Sequence, residues 1–121
     1  MIAYLASPYS HADLGVMAQR HQHVCEAAAL LFAQGHLTYS PIAHTVAIAA
    51  AGDLDGDFSA WATFDITMID RLDEMWVLRL DGWEQSLGVA AEVNHAIATG
   101  KPVRYAGVSI EAGRVVDVVL E

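Results

Sequence analysis

Glu92 and Asp65 are the residues whose types and settings could carry chemistry. Glu92 closes the stretch SLGVAAE (86–92), with Ala90, Ala91 and Ala96 around it, small side chains that leave room for a ligand. Asp65 stands between Phe64 and Ile66 in WATFDITMID. Aspartate is a poor helix-interior residue and is seldom buried without a partner. Two carboxyl groups in unlike apolar settings can divide the work of nucleophile and acid, because each setting pushes its pKa differently. Each also has a plainer reading. Ser86 could simply cap a helix whose Glu92 is solvated. Asp57, Asp65 and Asp73 are spaced by eight and drift only about 80° per step around a helix, so they could form a solvated stripe.

The start of the Glu92 helix adds a binding element. Ser86 is a plausible N-cap, and Gly88 leaves the free N–H groups of the first turn accessible. The helix dipole places about half a positive charge there, so an anion such as a 5′-phosphate would be stabilised. Glu92 lies six residues beyond Ser86, nearly two turns at about 3.6 residues per turn, and projects from a similar face. Tyr4 is interior to the first apolar run. Its hydroxyl, if buried, needs a partner, either a carboxylate at the ligand end of a sheet or a backbone carbonyl.

His44, after SPIA, could read a base edge, bind metal or serve as a structural residue. His21 and His23 are two apart on a helix and point away from each other. Asp53, Asp55, Gly56 and Asp57 have the density of a calcium loop, but Phe64 stands where its last carboxylate belongs, so no calcium or other metal site is expected. Trp61, Trp76 and Trp83 are expected in the core or on a pocket wall.

These residues need elements to hold them. Ile2–Ala6, Leu37–Tyr39, Met75–Leu80 and Pro102–Tyr105 read as short strands. Ala12–Gln34, Ile42–Ala51, Phe58–Leu72 and Ser86–Thr99 read as helices, with Gly35 and Gly100 as C′ stops. The tail from Val108 ends in VVDVVL and reads as an edge strand or one lent to a neighbour, covered because an exposed edge would aggregate. The alternation implies one α/β domain over 1–121, a doubly wound, flavodoxin-like or Rossmann-like parallel sheet of four to five strands with helices on both faces. Ligands in such sheets bind beyond the carboxyl ends of the strands. Ser7 to Tyr9, Ser40 to His44 and Asp81 to Glu92 therefore face the site.

Composition narrows the partners. The chain has 121 residues, 55% apolar, with fifteen acidic against six basic residues and a formal charge of −9. That balance disfavours nucleic acid and anionic membranes, which need clustered Lys and Arg. Cys25 is the single cysteine, so no disulfide or Cys-based zinc site forms within the chain. Apolar runs are interrupted by charge before 18 residues, too short to span a membrane, and MIAYLASPYS has no basic n-region. A cytoplasmic location is the expectation.

At this point the pattern resembles the nucleoside 2-deoxyribosyltransferases and the related nucleoside 5′-monophosphate N-glycoside hydrolases. AYLAS, DITMIDRLD, SLGVAAE and ATGKPV match four segments of that superfamily in order, across residues 2–103. The chain is more similar still to uncharacterised bacterial and phage proteins sharing YLASPYS, SPIAH and LDGWE. The resemblance implies Glu92 as nucleophile, Asp65 as the acid at the departing base, Tyr4 as the group that positions Glu92, and Ser86, Gly88, Ser7, Tyr9 and His44 around the substrate. It implies a nucleoside or nucleotide substrate, no cofactor, and a homodimer or higher homo-oligomer with sites near subunit interfaces. Ser86 matches the hydrolases, where the transferases carry Asp. Ser10 stands where the hydrolases carry Arg. A non-catalytic nucleotide-binding module, or a hydrolase for another small molecule, would use the same pocket.

Overall fold

A computed structural model describes residues 1–55 and 58–121. The chain runs β1 (Ala3–Ala6), α1 (Leu14–Ala33), β2 (Thr38–Tyr39), α2 (Pro41–Gly52), α3 (Phe58–Arg71), β3 (Glu74–Leu78), a single 3₁₀ turn at Trp83–Gln85, α4 (Leu87–Ala98), β4 (Val103–Glu111) and β5 (Arg114–Leu120). The sheet order is β2-β1-β3-β4-β5. β2, β1, β3 and the first half of β4 are parallel, while β5 runs antiparallel to the second half of β4. The fold is α/β, and its sheet is mixed where a wholly parallel one was expected.

Alternation along the central strands sorts two cores. Ala3 and Leu5 of β1, with Trp76 and Leu78 of β3, face Val24, Ala27 and Leu31 of α1. Tyr4 and Ala6, with Met75 and Val77, face Ile69 of α3 and Val89 and Ala96 of α4. Both faces of β1 and β3 are therefore covered, which suits strands that are near-continuous apolar runs. Helix ends follow the local signals. Asp13 caps α1 by accepting from the Gly15 N–H, and Ser40 caps α2 from the Ala43 N–H with Pro41 in the first turn. Gly35 and Gly100 adopt the left-handed conformation (φ 91° and 77°) expected of them just past α1 and α4.

The tail forms the edge strand expected of it, but as the return half of a hairpin. β4 extends well past Tyr105 and turns back through Ala112-Gly113, so Val115 and Val118 of β5 enter the α1 side of the core. α1 fixes this hairpin: Glu26 accepts from the Val115 N–H (3.1 Å), His23 Nε2 donates to the Gly113 carbonyl (3.0 Å), and Gln34 donates to the Val118 carbonyl (3.1 Å). Both turn residues have positive φ, 50° at Ala112 and 77° at Gly113, the pattern of a type I′ hairpin turn. Alanine is poorly suited to that conformation, whereas Asn-Gly is favoured. Ala112→Asn should raise the urea midpoint, stabilising by about 0.5–1 kcal/mol with an unchanged denaturant slope.

Candidate active site

A cavity of about 660 Å³ opens at the carboxyl ends of the parallel strands, within the size range of small-molecule sites. Ser7, Tyr9 and Ser10 come from the loop after β1, Pro41, Ile42, Thr45 and Val46 from the start of α2, and Trp61 and Asp65 from α3. Gln85, Ser86, Leu87, Gly88 and Glu92 come from the segment after β3. The cavity thus sits where β1 leads away to β2 on one side and pairs with β3 on the other. Its wall carries no Lys, Arg or His among the described residues.

The two carboxyl groups meet in this cavity, and neither is a solvated residue. Glu92 is 4% exposed and Asp65 6% exposed. Tyr4, fully buried in β1, donates its hydroxyl hydrogen bond to Glu92 Oε2. That contact follows from the strand's alternation, which turns Tyr4 to the α3–α4 face. Asp65 Oδ1 and Ser7 Oγ are buried without a protein hydrogen-bond partner. Buried polar atoms left this way call for a ligand group or ordered water. Asp73, the last member of the acidic series, does something else: it accepts from the Ile2 N–H (2.7 Å) and latches β1 at the opposite end of the strand.

Electrostatics follow from burial. Burial pushes the Asp65 carboxyl up to about 6. Burial, reinforced by the Asp65 charge and partly opposed by the Tyr4 hydrogen bond, pushes Glu92 up to about 8. Both carboxyls are therefore raised, Glu92 being the more deeply placed and also facing its neighbour's charge. Between these values the pair holds one proton, which belongs to the pair as a unit. Tyr4 is driven well above the ordinary phenol range by burial first and the Glu92 charge second, so it stays a hydrogen-bond donor.

The start of α4 is built as expected. Ser86 Oγ accepts from the Val89 N–H (3.2 Å). Gly88 does not have positive φ, so its value lies in its missing side chain, which opens the cavity wall at the first turn. The preceding turn is held by aromatic packing: Trp83 lies 5.7 Å from Tyr105, and the Arg79 guanidinium sits 4.8 Å over the Tyr105 ring.

His44 is placed differently from its expectation. It stacks on Phe64 (5.2 Å) and meets Trp61 edge-on (6.4 Å), while its helix neighbours Pro41, Ile42 and Thr45 form the cavity wall. His44 faces α3, where it backs Trp61. Trp61 is the aromatic wall, its Nε1 donating to the Asp55 carbonyl (2.9 Å). Gly56 and Asp57 of the acidic loop lie outside the described residues. Asp53 ends α2 in the left-handed conformation (φ 51°), a structural use for one of that loop's acids. Among the described residues no group of three or more His, Cys, Asp or Glu is placed to hold a metal ion.

Two contributors were not legible in the sequence. Arg20, half-buried on α1, donates to the Ser10 and Tyr9 carbonyls (2.9 and 3.4 Å) and to the Asp81 carbonyl (3.4 Å), tying the two cavity loops together. A Cβ on Gly82 would collide with that guanidinium. A mid-helix arginine gives no signal of such a task. Tyr39 is the other: it ends β2 in register with Tyr4, and its hydroxyl is buried and unpartnered. The available signal was the shared pattern in YLASP and YSP, a tyrosine near the end of each strand before Ser-Pro.

Fold and site together define an α/β protein with a buried, proton-sharing carboxyl pair at the ligand end of its sheet. The chain belongs to the family described as a domain of unknown function, DUF1937, whose model matches residues 1–107. That match ends within β4, before the β5 return strand. Comparison with curated proteins finds no match.

The buried pair makes a stability prediction. Glu92 binds its proton more tightly folded than unfolded, so the native state loses stability as pH rises from about 4.5 to about 8. Glu92→Gln keeps an acceptor for Tyr4 and removes that loss. Thermal melts should show the variant matching wild type near pH 4, gaining on it as pH rises, and levelling off above pH 8 at a few kcal/mol. A constant difference across this range would show that Glu92 is not the titrating group.

Proposed function

We propose that this protein cleaves the N-glycosidic bond of a nucleoside, ribo or deoxy, or of its 5′-monophosphate. Glu92 attacks the anomeric carbon while Asp65 protonates or hydrogen-bonds the departing base. Tyr4 positions Glu92, and water or a second base resolves the glycosyl-enzyme intermediate. The observation that carries this reading is the pair itself: Glu92, held by Tyr4, and Asp65, with one oxygen unpartnered, open into the same cavity. The resemblance of DITMIDRLD and SLGVAAE to the deoxyribosyltransferase superfamily assigns the same residues. The strand order, with helices on both faces, supports a doubly wound flavodoxin-like relationship in which β5 is the antiparallel departure.

The remaining wall suits such a substrate. Trp61, Ile42 and Val46 offer an apolar face for a base, and the first turn of α4 at Leu87 and Gly88 offers N–H groups to a sugar 5′ substituent. Leu87 lies on the cavity wall yet is 87% exposed. We therefore also propose a homodimer or larger assembly in which a second copy covers this rim. Light scattering at micromolar concentration should give at least twice the chain mass, and a monomeric peak would refute the assembly.

Incubation with each common nucleoside and 5′-monophosphate, read by chromatography for free base, tests the chemistry. Wild type should release base from at least one. Glu92→Ala should reduce release by about 10³-fold or more, and Asp65→Asn by about 10²-fold or more, as general acid–base roles predict. Undiminished release by Glu92→Ala would sink the mechanism. Thermal stabilisation by a nucleotide without base release would favour a binding module instead. The reactive form carries one proton on the pair. The kcat/KM profile should therefore rise with pH through about 6 and fall through about 8, a bell measurable across pH 4.5–9.5.

A further inference from the structure

Tyr39 has no place in the mechanism above, yet its position is specific. In the parallel register Tyr4 pairs with Tyr39, so the two side chains leave adjacent strands on the same face of the sheet. Their rings lie 5.8 Å apart. On its other side the Tyr39 ring packs 5.6 Å from His44, part of the aromatic group on α2 and α3. One of the two hydroxyls is already committed: Tyr4 donates to Glu92. The Tyr39 hydroxyl is buried and has no protein partner. Asp65 Oδ1 is in the same condition. A core tyrosine normally satisfies its hydroxyl, and a buried carboxylate oxygen normally accepts a hydrogen bond, because leaving either unmet forfeits its hydration without compensation. Asp65 lines the cavity, and the Tyr39 ring packs between Tyr4, which holds Glu92, and His44, which stacks on Phe64 next to Asp65.

We propose that Tyr39 is the positioning residue of Asp65, its hydroxyl donating to Oδ1 through one ordered water or the accepting-and-donating edge of the bound base, as Tyr4 donates directly to Glu92. The bridging group must both accept and donate, which a water, a ring amide or an exocyclic amine–carbonyl edge of a nucleobase can do and an aliphatic group cannot. Two in-register tyrosines would then each serve one carboxyl. The field at the hydroxyl agrees with this pairing: after burial, Asp65 is the strongest influence raising the Tyr39 phenol, ahead of Glu92, to about 12. Ser7 Oγ, also buried and unpartnered on the cavity wall, is a further hydroxyl that the same bridging group could reach.

The role assigned to Asp65 rests on the proposed glycosidic chemistry, so the decisive measurement does not use activity. The side-chain carboxyl carbons of Asp65 and Glu92 are titrated by NMR in wild type, Tyr39→Phe and Tyr4→Phe. Phenylalanine keeps the ring packing against Tyr4 and His44. A donor to an ionised carboxylate lowers its pKa, so its loss should raise it. Tyr39→Phe should move the Asp65 titration up by about half a pH unit or more, with a smaller effect on Glu92, whereas Tyr4→Phe should show the opposite preference. Reciprocally, Asp65→Asn should lower the pH at which the Tyr39 phenol ionises. If Tyr39→Phe leaves Asp65 unmoved, or shifts Glu92 more than Asp65, the pairing is wrong whatever reaction the protein catalyses. Where base release is found, Tyr39→Phe should also move the acidic limb of kcat/KM to higher pH, a change that a packing role alone would not produce. Titration shifts without base release from any nucleoside would uphold the pairing and refute the glycosidic reading.

Discussion

The molecule is organised around a costly act: two carboxyl groups are withdrawn from water beside each other. Isolated buried charges cost several kcal/mol each, and a second like charge adds to the penalty. Two devices hold the cost down. One proton is retained by the pair across the neutral range, so the cavity carries one negative charge instead of two. The Tyr4 hydroxyl supplies a hydrogen bond to the deeper carboxyl from the most enclosed strand of the sheet. No counter-cation lines the wall among the described residues, so these devices carry the electrostatics of the site.

Rigidity around the pair follows from ordinary packing. β1 is hydrogen-bonded on both sides and buried on both faces, so the Tyr4 hydroxyl has little freedom. α3 and α4, which carry Asp65 and Glu92, pack on each other and share one apolar cluster with β1 and β3. The loops are held by a different kind of contact. Arg20 converts a surface charge into a clamp by donating to carbonyls of two loops, and Gly82 makes the space for it. The Arg20 guanidinium is thus committed to backbone carbonyls.

Much of this was readable from residue order. Strands that are apolar throughout, helices stopped by glycine, and Ser-Pro after two strands are local signals, and each acts where the spacing places it. Glu92, Asp65 and Tyr4 were legible because each breaks a local rule: an acid or a hydroxyl stands where an apolar residue belongs. His44, Arg20 and Tyr39 break no such rule, so their tasks depend on tertiary context. His44 packs against Phe64 and Trp61 of α3, a placement set by how α2 and α3 meet, which spacing alone does not fix. The β4–β5 hairpin was missed for a related reason. Ala-Gly is a weak turn signal, and the turn is held by His23 and Glu26 of α1, some ninety residues away in the chain.

The shared proton bears on how the proposed chemistry would start. Attack by Glu92 requires that proton on Asp65, and burial of both carboxyls leaves one proton held by the pair as a unit. A bound nucleoside acts on both carboxyls. Electron-poor character at the anomeric carbon favours an ionised Glu92, and a basic ring nitrogen over Asp65 favours a proton there. Both effects grow toward the transition state, where the sugar becomes cationic and the base anionic. In the proposed reaction a substrate of that polarity would thus draw the shared proton to the position that attack by Glu92 requires. That shift also needs no outside proton, since the pair already holds the one that the departing base must receive.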